Sequence, residues 1–153
     1  MKKESVIELI SLLFIVLFLY TGISKLMDYS IFKEQIATSP LLAPISRIIA
    51  VLLPWVEFLV VSALALPRYR TAGLYASLVL MITFTCYIIG ILIFNKNLPC
   101  SCGGVVEQLS WKGHLVFNSV FICMSLTGIT LSKRNKHLVN RKAGEDIIKN
   151  VLE

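Results

Sequence analysis

The sequence predicts an all-α membrane protein: a bundle of four transmembrane helices with a short interfacial helix after the first span. Composition is the first observation, since 56% of the 153 residues are hydrophobic and only 16% are charged, against about 25% charged in soluble domains. The second is four apolar runs of the length that crosses a bilayer, about 20 residues. The third is that no run alternates between apolar and polar side chains, which excludes a transmembrane β-barrel.

The four apolar runs define one membrane domain, residues 1–131, followed by a basic tail, residues 132–153. A lysine pair precedes the first run, as in a secretory signal. That run is too long for a signal core and is followed by no small-residue cleavage site, so we expect an uncleaved first span. The predicted spans are residues 6–26, 45–66, 71–94 and 112–131.

Two features punctuate the second quarter of the chain. Ile31, Phe32 and Ile36 are spaced as on one face of a helix, in a segment too polar to span, which predicts a short helix at the membrane interface. Pro54 falls inside the second span, where the missing N–H predicts a kink.

Lysine and arginine predict the orientation. Ten of the 15 lie in the N-terminus, the turn between the second and third spans, and the tail, which share one face of a four-span protein; five lie on the other face. By the positive-inside rule we expect both termini to be cytoplasmic. The +6 net charge is explained by this topology, so we expect membrane lipid and no nucleic acid as a partner.

The loop before the fourth span carries the most informative motif, Cys100-Ser101-Cys102-Gly103-Gly104. In the predicted topology this loop faces outward, into an oxidising compartment where disulfides form and persist. A Cys-x-Cys disulfide closes a small, strained ring, and strained disulfides exchange readily. Two alternatives stay open: an inert pair, or a zinc site completed by Glu107 and His114. Cys86 and Cys123 lie within spans, where we expect them to pack as small apolar residues.

Glu57 lies near the middle of the second span, where a carboxyl group is costly unless it is protonated or paired, and is usually functional. Other polar side chains fall in the outer halves of the first, third and fourth spans, beneath the Cys-x-Cys loop. They predict a small pocket for a quinone-like or isoprenoid headgroup. These candidate cofactor-binding residues are Tyr20, Lys25, Tyr87, His114 and Asn118.

In the motifs that end this paragraph, the chain resembles the DoxX-like membrane proteins, and in particular their MauE branch, which is associated with methylamine utilisation. The likeness covers roughly residues 5–131. The family more often has an aromatic residue after the second cysteine, where this chain has Gly103. The matching motifs are Tyr20-x-Gly22-x-x-Lys25-x-x-Asp28, Ser39-Pro40, Glu57, Cys100-Ser101-Cys102-Gly103 and Trp111…His114…Asn118.

The resemblance implies a four-helix bundle in the bacterial inner membrane that helps to mature a periplasmic, disulfide-rich enzyme subunit. It further implies electron exchange with a thioredoxin-like protein. Nothing else in the chain indicates methylamine metabolism. The architecture is similar to vitamin K epoxide reductase, which couples a Cys pair to quinone, but only as an analogy.

The leading hypothesis is thus a membrane thiol–disulfide oxidoreductase that uses Cys100, Cys102 and Glu57. It would pass electrons between a periplasmic protein and a lipid-soluble carrier such as a quinone. A non-catalytic assembly factor is the alternative. A small-solute transporter is third, disfavoured because four short spans show no sign of an inverted repeat.

Overall fold

A computed structural model describes residues 3–38, 42–94 and 111–152 of the chain. The described residues are helical almost throughout and contain no strand, as the sequence predicts. A 3₁₀ turn, Ala43–Ile45, precedes the second span. The five α-helices are α1 Lys3–Met27, α2 Tyr29–Thr38, α3 Ser46–Ala65, α4 Arg70–Phe94 and α5 Trp111–Leu152.

Four segments are long and apolar enough to cross a membrane, which confirms the fold class and makes this a multi-pass membrane protein. Their outward surfaces are apolar as well: Leu59 and Ile93 expose 70% and 69% of their surface. Such exposure is costly in water and neutral in lipid. The spans are residues 4–27, 43–65, 70–90 and 113–134.

The four spanning helices form a ring in which each packs against two antiparallel neighbours. α1 packs on α3, α3 on α4, α4 on α5, and α5 closes the ring against α1. We call the end where α4 stops and α5 begins the loop end, and the end where α1 and α4 begin the tail end. The segment with Cys100 and Cys102 connects two helices at the loop end.

The middle of the bundle is filled by aromatic and aliphatic side chains. Phe14 and Phe18 are fully buried and stack with ring centroids 5.8 Å apart, and Phe14 meets Phe121 edge to face at 5.2 Å. Leu64 and Leu74 continue this core towards the tail end. These contacts anchor the register of α1 against α5, which places the polar residues discussed below.

The predicted interfacial helix is confirmed as α2, which packs on α3 through a buried Ile36. α3 continues as one helix through Pro54, whose side chain is fully buried. α5 continues past the fourth span to Leu152, so the tail is helical. Its assignment to the cytoplasm stays a prediction.

Candidate functional site

Glu57 is the centre of the candidate site. Its side chain is completely buried, and its Oε1 accepts a hydrogen bond from Lys25 Nζ at 2.6 Å. Lys25 is itself only 7% exposed. Of the two states expected for a membrane carboxyl group, protonated or paired, the structure shows the pair, formed between the loop-end half of α1 and the middle of α3.

Thr21 is a third member of the site that the sequence analysis missed. Its Oγ1 lies 3.3 Å from Glu57 Oε1, one helical turn before Lys25. The spacing of four residues puts both side chains on one face of α1. That spacing was visible in the sequence, but a lone threonine in a span usually bonds its own backbone and attracts no notice.

Aromatic rings surround the ammonium group of Lys25. The centroids of Phe32, on α2, and Phe84, on α4, each lie 5.7 Å from Lys25 Nζ, within the range of a cation–π interaction. The group therefore contacts α2, α3 and α4 from its own position on α1. Burying a charge pair has a large desolvation cost, which is offset only when geometry and surrounding contacts are good.

Gly22 allows α1 to approach α3 at this point. A Cβ at position 22 would lie 3.1 Å from the Phe58 ring and 3.3 Å from Glu57 Oε2. Oε2 is buried and has no hydrogen-bond partner among the residues that the structure describes. The second oxygen of Glu57 thus remains an acceptor that a donor from a ligand could satisfy.

His114 and Asn118 lie in the same half of the bundle as this pair. Both are buried on α5, with 3% and 7% exposure. Phe121 on α5 contacts Phe14 on α1, so the two helices are level at these residues. Seven residues nearer the loop end, about 10.5 Å along each helix, lie His114 on α5 and Thr21 on α1. The structure therefore brings Lys25, Glu57, His114 and Asn118 to the interior of the loop-end half.

The other predicted site residues are placed less centrally or lie outside the described residues. Tyr20 is 41% exposed and Tyr87 is half-buried. Cys100 and Cys102 fall in the segment 95–110, outside the described residues, so their pairing and the zinc alternative stay predictions.

We expected Cys86 and Cys123 to pack inside the bundle, but they do not. Both are free thiols on its outer surface. In a membrane that surface faces lipid, which is as apolar as a protein core, so a small apolar residue is tolerated at either place.

The match to known families decides what kind of protein this is. Residues 3–131 match the family described as methylamine utilisation protein MauE. The chain belongs to the MauE family. The match spans all four membrane helices of this MauE protein and ends within α5, before the tail. Comparison with curated proteins and with solved structures gave no match.

The close contact at Gly22 of this MauE protein gives a testable prediction. In Gly22→Ala the new methyl group forces Phe58 and Glu57 to shift by a few tenths of an ångström. We expect a loss of about 1 kcal/mol in unfolding free energy, because overpacking outweighs the better helix propensity of alanine. Thermal unfolding in detergent measures it.

Gly128→Ala is the matched control, since its Cβ would meet Leu74 at 3.2 Å, on the tail-end side of the aromatic core. Both variants should lose similar stability. If the predicted Cys100–Cys102 disulfide forms and depends on Glu57, only Gly22→Ala should slow its re-formation after reduction. Equal rates of disulfide re-formation in the two variants would show that the contact at Gly22 has no specific role in function.

Proposed function

We propose that this MauE-family protein is a membrane thiol–disulfide oxidoreductase of the bacterial inner membrane. Cys100 and Cys102 exchange disulfides with a periplasmic thioredoxin-like or disulfide-rich protein. The family description, methylamine utilisation, supports methylamine dehydrogenase as the enzyme whose maturation this exchange serves. The supporting observation is the Lys25–Glu57 pair, buried in the half of the bundle from which the Cys-x-Cys loop extends.

Electrons and protons must balance in such an exchange. Closing a disulfide from two thiols releases two electrons and two protons, and opening it consumes the same number. Glu57 and His114 are buried groups able to hold protons at the loop end, and Lys25 supplies a fixed positive charge beside them.

The described residues fit a quinone-type carrier. Lys25, His114 and Asn118 offer buried N–H donors for a polar headgroup, and the carrier would supply a two-electron, two-proton couple. An apolar groove of about 560 Å³ starts at Leu115, beside His114 in the chain, and follows α5 against α1, where an isoprenoid chain could lie. Its lining residues are Ile10, Leu115, Val116, Ser119, Val120, Cys123, Met124 and Thr127.

A non-catalytic assembly factor is the second candidate, and one observation favours it. The Lys25 ammonium group contacts α2, α3 and α4, so the buried pair has an evident role in holding the bundle together. A scaffold of this kind would use the pair for structure alone and would tolerate loss of either cysteine.

Transport is disfavoured by the aromatic core. Phe14 and Phe18 are fully buried between the polar loop-end half and the tail end. The polar Ser77 and Ser125, on the tail-end side of this core, donate their hydroxyl protons to backbone carbonyls. The described interior therefore offers no continuous polar path from Glu57 to the tail end.

Thiol labelling tests the orientation and the disulfide together. In intact cells with a permeabilised outer membrane, a membrane-impermeant maleimide should label Cys100 and Cys102 only after treatment with a reductant. We expect this because the positive-inside rule puts the loop in the periplasm, where the pair is oxidised. The measurement is the mass shift of the purified chain.

The Cys100→Ser/Cys102→Ser double variant is the control and should remain unlabelled, because Cys86 and Cys123 face lipid. Labelling that requires rupture of the inner membrane would reverse the topology. Full labelling without reductant would show free thiols and contradict the oxidised pair.

A further inference from the structure

The tail end of the bundle carries a second polar cluster, away from the Lys25–Glu57 pair. Arg70 is the first residue of α4, and its side chain extends across the bundle to Glu8 on α1. The distance from Arg70 Nη1 to Glu8 Oε1 is 3.5 Å. The Glu8 side chain is 62% exposed, whereas that of Arg70 is only 24% exposed. A long contact to an exposed carboxylate stabilises little, about 0–1 kcal/mol.

The guanidinium group of Arg70 is therefore under-used. It has five N–H donors, and Glu8 accepts from only one nitrogen. Its Nε is enclosed by protein atoms and has no hydrogen-bond partner within residues 3–38, 42–94 and 111–152. The donors on its two Nη atoms form a planar fork that matches the two oxygens of a phosphate better than one distant carboxylate oxygen.

A second basic residue, Lys133, lies at the same end of the bundle, on the neighbouring helix α5. Thr71 Oγ1 and Ser132 Oγ lie 2.7 Å apart and join α4 to α5. Lys133 follows Ser132, and its Nζ lies 5.3 Å from the Tyr75 ring centroid on α4. The hydroxyl pair thus holds α4 against α5 at one residue from each of the cationic residues Arg70 and Lys133.

The depth of this cluster matches that of lipid headgroups. Arg70 is the first residue of the third span, and the fourth span ends at Arg134, one residue after Lys133. Span ends lie at the boundary between hydrocarbon and headgroups. Basic groups between helices at this level suit anionic headgroups.

We propose that Arg70, Lys133 and the Thr71–Ser132 hydroxyl pair bind the phosphate of an anionic phospholipid at the tail end of the bundle. Glu8 occupies part of the arginine fork in the absence of lipid and rotates into water when the phosphate binds. The lipid then joins α4 and α5. This site is independent of disulfide exchange at the loop end.

The test uses the full chain in a neutral detergent, titrated with phosphatidylglycerol or phosphatidylcholine and read by native mass spectrometry of the bound lipid. Wild type should prefer phosphatidylglycerol. Arg70→Gln should weaken its binding roughly tenfold, the effect of losing a charge-assisted, two-bond contact. Arg68→Gln is the matched control, because this exposed arginine lies two residues away and contacts only the Tyr69 ring among described residues. Its effect should stay within about twofold, which is less than 0.5 kcal/mol.

Glu8→Gln provides a change of opposite sign that a folding defect does not mimic. It removes the competing carboxylate and should tighten phosphatidylglycerol binding by roughly two- to fivefold. Equal losses in Arg70→Gln and Arg68→Gln would show a general surface-charge effect and overturn the site. Weaker binding in Glu8→Gln would overturn it as well.

Competition with inorganic phosphate shows whether the ligand is a phospholipid headgroup or a soluble phosphate compound. At millimolar concentration it should not displace phosphatidylglycerol, because the acyl chains add apolar contacts along the spans. Displacement by phosphate alone would assign the cluster to a soluble phosphate compound and contradict the lipid.

Discussion

Replacing either cysteine of the Cys-x-Cys loop by serine should abolish the proposed disulfide exchange, and replacing the resolving cysteine should trap the partner protein. Exchange proceeds by attack of a thiolate, followed by release through a second, resolving thiol. With the resolving thiol removed, the mixed disulfide accumulates. Because the two residues after Cys102 are glycines without side chains, we expect Cys102 to be the attacking thiol and Cys100→Ser to give the stronger adduct. Non-reducing gels, with mass spectrometry of the shifted band, measure it.

Cys86→Ser is the matched control, since it removes a thiol from a lipid-facing surface outside the groove proposed for the isoprenoid chain. It should neither form an adduct nor lose function. Absence of an adduct in both loop variants, with normal maturation of the partner, would leave the assembly-factor alternative as the function.

Breaking the Lys25–Glu57 pair from one side should be strongly destabilising, and removing both charges should restore much of the loss. A buried ion whose partner is gone costs roughly 3–5 kcal/mol, which we expect for Lys25→Met. Glu57→Gln should also destabilise the fold, because it leaves the Lys25 ammonium group without a counter-charge. In the Lys25→Met/Glu57→Gln variant both side chains are uncharged and similar in volume to the residues that they replace. Its unfolding temperature should therefore be close to that of wild type. Thermal unfolding in detergent gives the ranking.

Glu8→Gln is the control for this series. It breaks the exposed contact to Arg70 and should change the unfolding free energy by less than about 1 kcal/mol. If Lys25→Met costs no more than Glu8→Gln, the pair is not the stabilising contact that its burial indicates.

Function in the double variant separates the two roles of Glu57. A stable Lys25→Met/Glu57→Gln protein that no longer reoxidises Cys100–Cys102 would assign the Lys25–Glu57 pair to proton transfer. Full reoxidation in that stable protein would reduce Glu57 to a structural role and favour the scaffold.

The number and position of the spans were accessible from the sequence because the bilayer imposes a length and a composition on every crossing segment. The predicted span 112–131 and the observed span 113–134 differ by a few residues, as do the other three. The interfacial helix was equally accessible: polar and apolar residues alternate with helical period in a segment bordering water, and the structure places it at Tyr29–Thr38.

The sequence also marked Glu57 as a residue that needs a partner, but it did not name Lys25 or Thr21. Only the packing of α1 on α3, permitted by Gly22, brings these groups within 2.6 Å and 3.3 Å of its Oε1. Cys86 and Cys123 show the same limit, since nothing in their helices indicates which face turns towards lipid. In a soluble helix the apolar face identifies the interior. In a membrane both faces are apolar, because lipid and protein core are similar solvents, so the interior is decided by helix packing alone.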